Sequence, residues 1–233
     1  DSDQRRSFVA GSTSNSVAYV NVSAFEAPFI ETNRSFVNAT YLAGARGISY
    51  DSTNDLLFVA AYDADKLTIL KFDSDGALTY SDHLALDTGD APTAVTHDSV
   101  HNRVYVACSG TARVVYANYS STGEFSISTI YALNVSSSVL DGISDIKYDT
   151  FNSRLYTAAE SADTVAAIDV DLDQLPDPRR VERVTDPTNL NGAKGLAFRT
   201  NLGNDLPGLT AVVVGCFEGD MATLLQVTDT VAY

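Results

Sequence analysis

The chain has 233 residues, with 30 acidic side chains against 15 basic ones and a formal charge of −15. The length is enough for a sizeable core, and a charge of this sign argues against a nucleic acid as partner. No apolar run approaches the roughly 18 residues a helix needs to span a bilayer, so no helical membrane span is expected in this chain.

Taken in chain order, the sequence repeats a segment five times. The copies start at Phe8, Phe58, Tyr105, Tyr156 and Val213, and they align without gaps. A repeat of this length made of short β-rich runs predicts an all-β fold, a β-propeller of four-stranded antiparallel blades. The repeats run over about 5–41, 47–90, 94–135, 145–190 and 195–233, within a single domain 1–233. In the second repeat Gly47–Asp51 is strand A, Leu56–Tyr62 is B, Leu67–Phe72 is C and Leu78–Leu86 is D. Turn residues separate them: Asp51–Asn54, Asp63–Asp65 and Asp73–Gly76. Strand A is Ala94–Asp98 in the third copy, Asp145–Asp149 in the fourth and Gly195–Arg199 in the fifth. Strand B is nearly all apolar, as expected when both faces are covered. Strand C alternates more, which predicts a position nearer the rim.

The first repeat begins at strand B, and the last stops soon after strand C. An unpaired buried edge is costly. We therefore expect five visible repeats to be part of a larger or completed ring, closed by a further segment or chain.

Five Asn-x-Ser/Thr sequons occur, at Asn21, Asn33, Asn38, Asn118 and Asn134. Asn21 and Asn118 share one slot, the end of strand C, which we expect to be exposed. The sequon density predicts glycans on at least three sites and a secreted or cell-surface protein, with other extracellular proteins or glycans as partners.

The aromatic-led strands Phe58-Val59-Ala60, Tyr105-Val106-Ala107 and Tyr156-Thr157-Ala158, each preceded by Asp and a turn, resemble YVTN-type and lactonase-like propellers. Lys71 to Thr79 is similar to the C-to-D turn of the lactonase-like group. The resemblance implies blade construction. Members range from enzymes to surface-layer and adhesion proteins, and no catalytic motif carries over residue by residue.

The chemistry-bearing residues read as structural. Asp51, Asp98 and Asp149 share the end of strand A, either as a carboxylate ring for a cation or as Asx turns. Arg199 in the fifth copy and the repeated turn residues Asp55, Asn102 and Ser153 favour turns. Asp73-Ser74-Asp75-Gly76 resembles the start of a calcium loop but lacks the later Glu, so a β-turn is expected. His83, His97 and His101 form no metal or triad pattern. Cys108 and Cys216 share a slot two blades apart, too far for a disulfide. Arg179, Arg180 and Arg183 form a basic cluster in a Pro-containing loop. No cofactor motif is present. These readings point to an extracellular structural, adhesive or binding module without catalytic activity. The alternative is a lactonase-like secreted hydrolase with its site at the channel mouth.

Overall fold

The computed structural model describes residues 6–21, 31–126, 130–170, 180–200, 209–217 and 221–228. They form antiparallel sheets and one short helix. The first sheet is β1 (Arg6–Gly11), β2 (Ser16–Asn21) and β3 (Glu31–Val37). The second is β4 (Ala45–Asp51), β5 (Leu56–Ala61), β6 (Lys66–Phe72) and β7 (Leu78–Ala85). The third is β8 (Pro92–Asp98), β9 (Arg103–Cys108), β10 (Arg113–Asn118) and the two-residue β11 (Tyr131–Ala132). After α1 (Ser137–Leu140) come β12 (Ile143–Asp149), β13 (Arg154–Ala159), β14 (Thr164–Asp169) and β15 (Arg180–Thr185). The last sheet is β16 (Ala193–Thr200), β17 (Leu209–Cys216) and β18 (Met221–Thr228). These are propeller blades in sequential strand order, and among the described residues β1 lies at one end of its sheet. No helix among the described residues is long and apolar enough to cross a membrane.

The gapless sequence repeat is a repeated hairpin. Gly11 pairs with Ser16, Ala61 with Lys66, Ala159 with Thr164 and Cys216 with Met221. The B–C turns of the first four copies each place one residue in the left-handed region: Asn15, Asp65, Ala112 and Asp163, with φ of 46–51°. Asn and Asp tolerate that conformation better than most residues.

Two compact units result, Asp1–Gly110 with Val115–Tyr131, and Thr111–Val114 with Ala132–Tyr233. In the first unit, one core cluster joins Phe8, Val17 and Tyr19 of the first sheet to Leu57, Val59 and Leu70 of the second. A second joins Phe58, Leu67 and Ile69 to Val95, Val104, Val106 and Val115 of the third sheet. In the second unit, Tyr156, Ala158 and Ala167 pack on Leu196, Val212 and Val214. Each large side chain buried this way contributes about 1.5–3 kcal/mol.

Two sequence expectations need correction. Strand C does not alternate in exposure in the second, third and fourth sheets, although in β2 buried Val17 and Tyr19 do alternate with less buried neighbours. Leu67–Leu70, Val114–Ala117 and Thr164–Ile168 are continuously buried, because both faces of a middle blade are covered. Arg180 and Arg183 lie in β15 rather than in a loop, in register with Asp169 and Ala166 of β14. Arg179 lies outside the described residues.

Candidate functional site

The two ends of the A strands, β4, β8, β12 and β16, hereafter the inner strands of their blades, differ in chemistry. At the A–B turns, Asp51, Asp98 and Asp149 are buried. Asp51 Oδ1 accepts the amides of Thr53 (2.9 Å) and Asn54 (3.3 Å), and its Oδ2 accepts Asn54 Nδ2 (2.7 Å) and the Tyr119 hydroxyl (2.8 Å). Asp98 accepts the amides of Val100 and His101 and meets His101 Nδ1 at 2.7 Å. Asp149 accepts the amides of Phe151 and Asn152 and the Asn152 side chain. Asp55, Asn102 and Ser153 follow at positive φ. This is the Asx-turn reading of the sequence, and it occupies both oxygens of each carboxylate. No metal-holding cluster of His, Cys, Asp or Glu occurs among the described residues. The 73–76 turn is likewise closed by Asp73 Oδ1, which accepts the amides of Asp75 (3.0 Å) and Ala77 (2.8 Å).

At the other end each inner strand starts with a β-bulge. The register slips between Ala45 and Gly47, Pro92 and Ala94, Ile143 and Asp145, and Ala193 and Gly195. A bulge re-aims the side chain it carries. In the first unit the bulge residues are Arg46 and Thr93. The exposed Arg46 guanidinium lies 3.6 Å from the centroid of the Tyr62 ring, while Thr93 Oγ1 donates to the Ala107 carbonyl at 3.3 Å. In the second unit they are Ser144 and Lys194. Ser144 Oγ reaches the Ala193 (3.0 Å) and Ala158 (3.3 Å) carbonyls. Lys194 Nζ is 3.1 Å from Glu160 Oε1 and 4.6 Å from the centroid of the exposed Phe217 ring. Beside it, Asp145 accepts the Leu196 amide (2.8 Å) and pairs with Lys147 (2.9 Å).

The connections leading into these bulges repeat a pattern that our sequence reading missed. Asn38, Ser136 and Asp186 are each followed at +4 by a fully buried leucine (Leu42, Leu140, Leu190) and at +6 by a glycine (Gly44, Gly142, Gly192) at φ 67–68°. Asn38 Oδ1 accepts the amides of Thr40 and Tyr41, as Asp186 Oδ1 accepts those of Thr188 and Asn189. Those bonds hold the Asp186 carboxyl below its usual pKa, led by the Asn189 side chain. The left-handed residue of the preceding B–C turn holds the connection as well. Asn15 takes the Gly44 amide (3.0 Å), Asp65 those of Gly89 (2.9 Å) and Ala91 (2.8 Å), and Asp163 that of Gly192 (3.0 Å).

The sequons therefore occupy unlike environments. Asn134 is exposed. Asn38 spends its oxygen on the turn. Asn118 is not the exposed strand end expected. It is half-buried, and its Oδ1 accepts Nε of the buried Arg103 at 3.2 Å. The same slot in β14 holds Asp169 against Arg154 at 2.5 Å, which identifies it as a partner for an interior guanidinium. The side chains of Asn21 and Asn33 lie outside the described residues.

One nucleophile–base pair is present that the sequence did not show. Ser49 Oγ on β4 is 2.7 Å from His97 Nδ1 on β8. Burial pushes the His97 imidazole below its ordinary pKa, while Asp51 and Asp98 pull the other way. His97 occupies the strand-A slot held by Tyr50 and Tyr148 in neighbouring copies, so its ring also fills an aromatic position, 5.8 Å from Phe58. His83 meets the Tyr80 hydroxyl at 2.7 Å. Cys108 and Cys216 are buried and form no disulfide.

No family model and no curated protein sequence matches the chain, so the YVTN assignment has no match behind it. Solved structures do match. A candidate 6-phosphogluconolactonase from Bacteroides uniformis aligns at TM-score 0.71 and 10% identity, over 99% of this chain and 66% of that one. A protein from Lactobacillus plantarum aligns at TM-score 0.67 and 11% identity, over 98% and 69%. A chain of a nidogen–laminin complex aligns at TM-score 0.55 and 14% identity, over 95% and 78%. The chain spans about two thirds of the length of the first two. At these identities the likeness shows the propeller fold alone.

Proposed function

We propose that this chain is an extracellular, glycosylated binding module. It contacts other proteins or glycans through the bulged starts of its inner strands and performs no covalent chemistry. The observation that supports this most is the contrast between the two ends. The carboxylates of the A–B turns are saturated by backbone and side-chain donors. The bulges instead hold exposed cations, Arg46 and Lys194, each against an exposed or half-buried aromatic ring. In a chain of net charge −15, such a cation on a ring face offers a carboxylate or a sugar ring both a charge and a stacking surface. Binding to an array of acidic and neutral oligosaccharides tests this. Arg46→Ala is expected to weaken the wild-type signal by tenfold or more. Signals that survive both Arg46→Ala and Lys194→Ala would sink the assignment of these residues. N-glycosidase treatment of the native protein is expected to shift its mass by at least three of the five glycans at Asn21, Asn33, Asn38, Asn118 and Asn134.

The second reading, a lactonase-like hydrolase, draws on the likeness to a candidate 6-phosphogluconolactonase and on the Ser49–His97 pair. It predicts hydrolysis of 6-phosphogluconolactone that Ser49→Ala and His97→Gln both abolish. Turnover with that sensitivity would replace the binding reading.

A further inference from the structure

The last strand of the second sheet breaks the rule of alternation at one point, and the break builds a cluster. The register of β7 against β6 slips between Ile69 and Leu70, so that Ser81 is an inserted residue. Leu70 pairs with Tyr80, Ile69 with Asp82 and Thr68 with His83. In a regular strand, residues three apart point to opposite faces. The bulge brings Tyr80 and His83 onto one face, the face of Thr68 and Leu70. Their ring centroids are 6.1 Å apart, and the Tyr80 hydroxyl lies 2.7 Å from His83 Nδ1.

A third ring joins from the connection that precedes the same sheet. Tyr41 is held by both of its backbone groups: its amide donates to Asn38 Oδ1 (3.2 Å), and its carbonyl accepts the Thr68 hydroxyl (2.7 Å). Its ring stacks on Tyr80, with centroids 4.5 Å apart and planes at 22°, and lies 4.8 Å from the His83 ring. All three residues are only half-buried. Burial first, then Tyr41 and Asp82, hold the Tyr80 phenol above its ordinary pKa, so it carries its proton at neutral pH. A protonated phenol gives up an electron readily only when its proton has somewhere to go. The neutral imidazole of His83 is an acceptor at hydrogen-bond distance.

We propose that Tyr41 and Tyr80 are a modification site, joined as a dityrosine by a one-electron oxidant of the kind a haem peroxidase generates from hydrogen peroxide. Each phenol loses one electron and its hydroxyl proton, that of Tyr80 passing to His83. The stack keeps the two phenoxyl radicals together, and they couple through a new bond between the ring carbons next to the hydroxyls. The hydrogens on those carbons leave as protons while the oxygens regain theirs. The pair ends two hydrogen atoms lighter, and the peroxide ends as two waters. The bond ties the connection before β4 to the last strand of the same sheet, restricting the unfolded chain as a disulfide does. A second stacked pair, Tyr116 and Tyr131 (5.1 Å, 18°), has a different setting. Tyr116 is buried, and its ring centroid lies 5.4 Å from the Arg103 guanidinium, a cation that opposes loss of an electron.

The test treats the folded protein with a haem peroxidase and limiting hydrogen peroxide, isolates the monomer, and reads dityrosine fluorescence, intact mass and linked peptides. A monomer two hydrogen atoms lighter is expected, with one peptide pair joined through Tyr41 and Tyr80. Tyr41→Phe and Tyr80→Phe keep a stacked ring and should fold, and each should abolish that linked pair. Tyr116→Phe should leave it intact. His83→Gln should slow coupling by about tenfold or more, the lower end of what a positioned proton acceptor contributes. The ratio of the wild-type rate to the His83→Gln rate should fall toward unity as the imidazole protonates below about pH 6.5. A monomer without the link, a link through other tyrosines, or a coupling rate indifferent to His83 overturns the proposal.

Discussion

The two ends of the inner strands solve opposite problems. At the A–B turns the backbone depends on a side chain: without the aspartate, two turn amides have no acceptor. The residue is accordingly the same in three copies, Asp51, Asp98 and Asp149. At the bulges the backbone geometry repeats with or without side-chain help: Thr93 and Ser144 bond to carbonyls, while Arg46 and Lys194 point to exposed surface. Four copies then carry Arg46, Thr93, Ser144 and Lys194. Where the main chain needs a particular group, three of the four copies keep it, with Arg199 the exception in the fifth repeat. Where it does not, the repeat diverges, and that divergence is available to binding.

The strongest way to break this contrast is Asp51→Ala. It removes the acceptor for two amides, the Asn54 amide group and the Tyr119 hydroxyl. We expect a loss of about 3–5 kcal/mol, the usual cost of leaving several buried donors unpaired. Denaturant titration measures it, and a loss under about 1 kcal/mol would mean the turn holds without its aspartate.

Next is Gly44→Ala. Its φ of 67° disfavours a side chain, and the new Cβ would lie 2.7 Å from the Asp63 backbone nitrogen. A cost of about 1–3 kcal/mol is expected by the same titration. A neutral result would show that the connection can shift.

A smaller effect tests the buried imidazole. His97 stays neutral in the fold because burial lowers its pKa. As pH falls below about 6.5, the unfolded chain binds the proton first. This contribution to stability is complete above that value and declines below it, until the folded imidazole also protonates. His97→Phe, which restores the aromatic type of its neighbouring copies, should flatten that part of the stability–pH curve. An unchanged slope would assign the acid sensitivity to another group.

Smallest is Arg46→Ala, with a stability change within about 0.5 kcal/mol as for other exposed sites. A larger loss would mean that the guanidinium on Tyr62 serves the fold rather than a ligand.

Much of this was legible because hairpins are local. The five gapless copies fix pairing at i and i+5, and Asp51, Asp98 and Asp149 announce their turns. What was missed depends on the backbone or on distance in sequence. A bulge leaves no residue signature when Arg, Thr, Ser and Lys all serve. The connection motif hides because Asn38, Ser136 and Asp186 can each start the same turn. Ser49 and His97 meet only across a seam between sheets. The burial of strand C was misjudged in the middle sheets because polar and small residues such as Thr68, Ala117 and Thr164 are buried there beside large apolar ones. Asn118 was misjudged because a sequon and an arginine acceptor are spelled alike.

The left-handed B–C residue lends an oxygen to the following connection in three copies, through Asn15, Asp65 and Asp163. In the third copy it is Ala112, which has none. The segment from Leu133 to Gly142, with α1 inside it, is then held by backbone bonds such as those from Glu160 to Gly142 (3.0 Å) and from Ala162 to Asp141 (3.2 Å). Local opening tracks such missing restraints. In deuterated solvent the amides of this stretch should exchange ahead of those around Gly44 and Gly192, and a protease should cut it ahead of those two connections. Ala112→Asp, supplying the absent oxygen at a φ of 51°, should slow both.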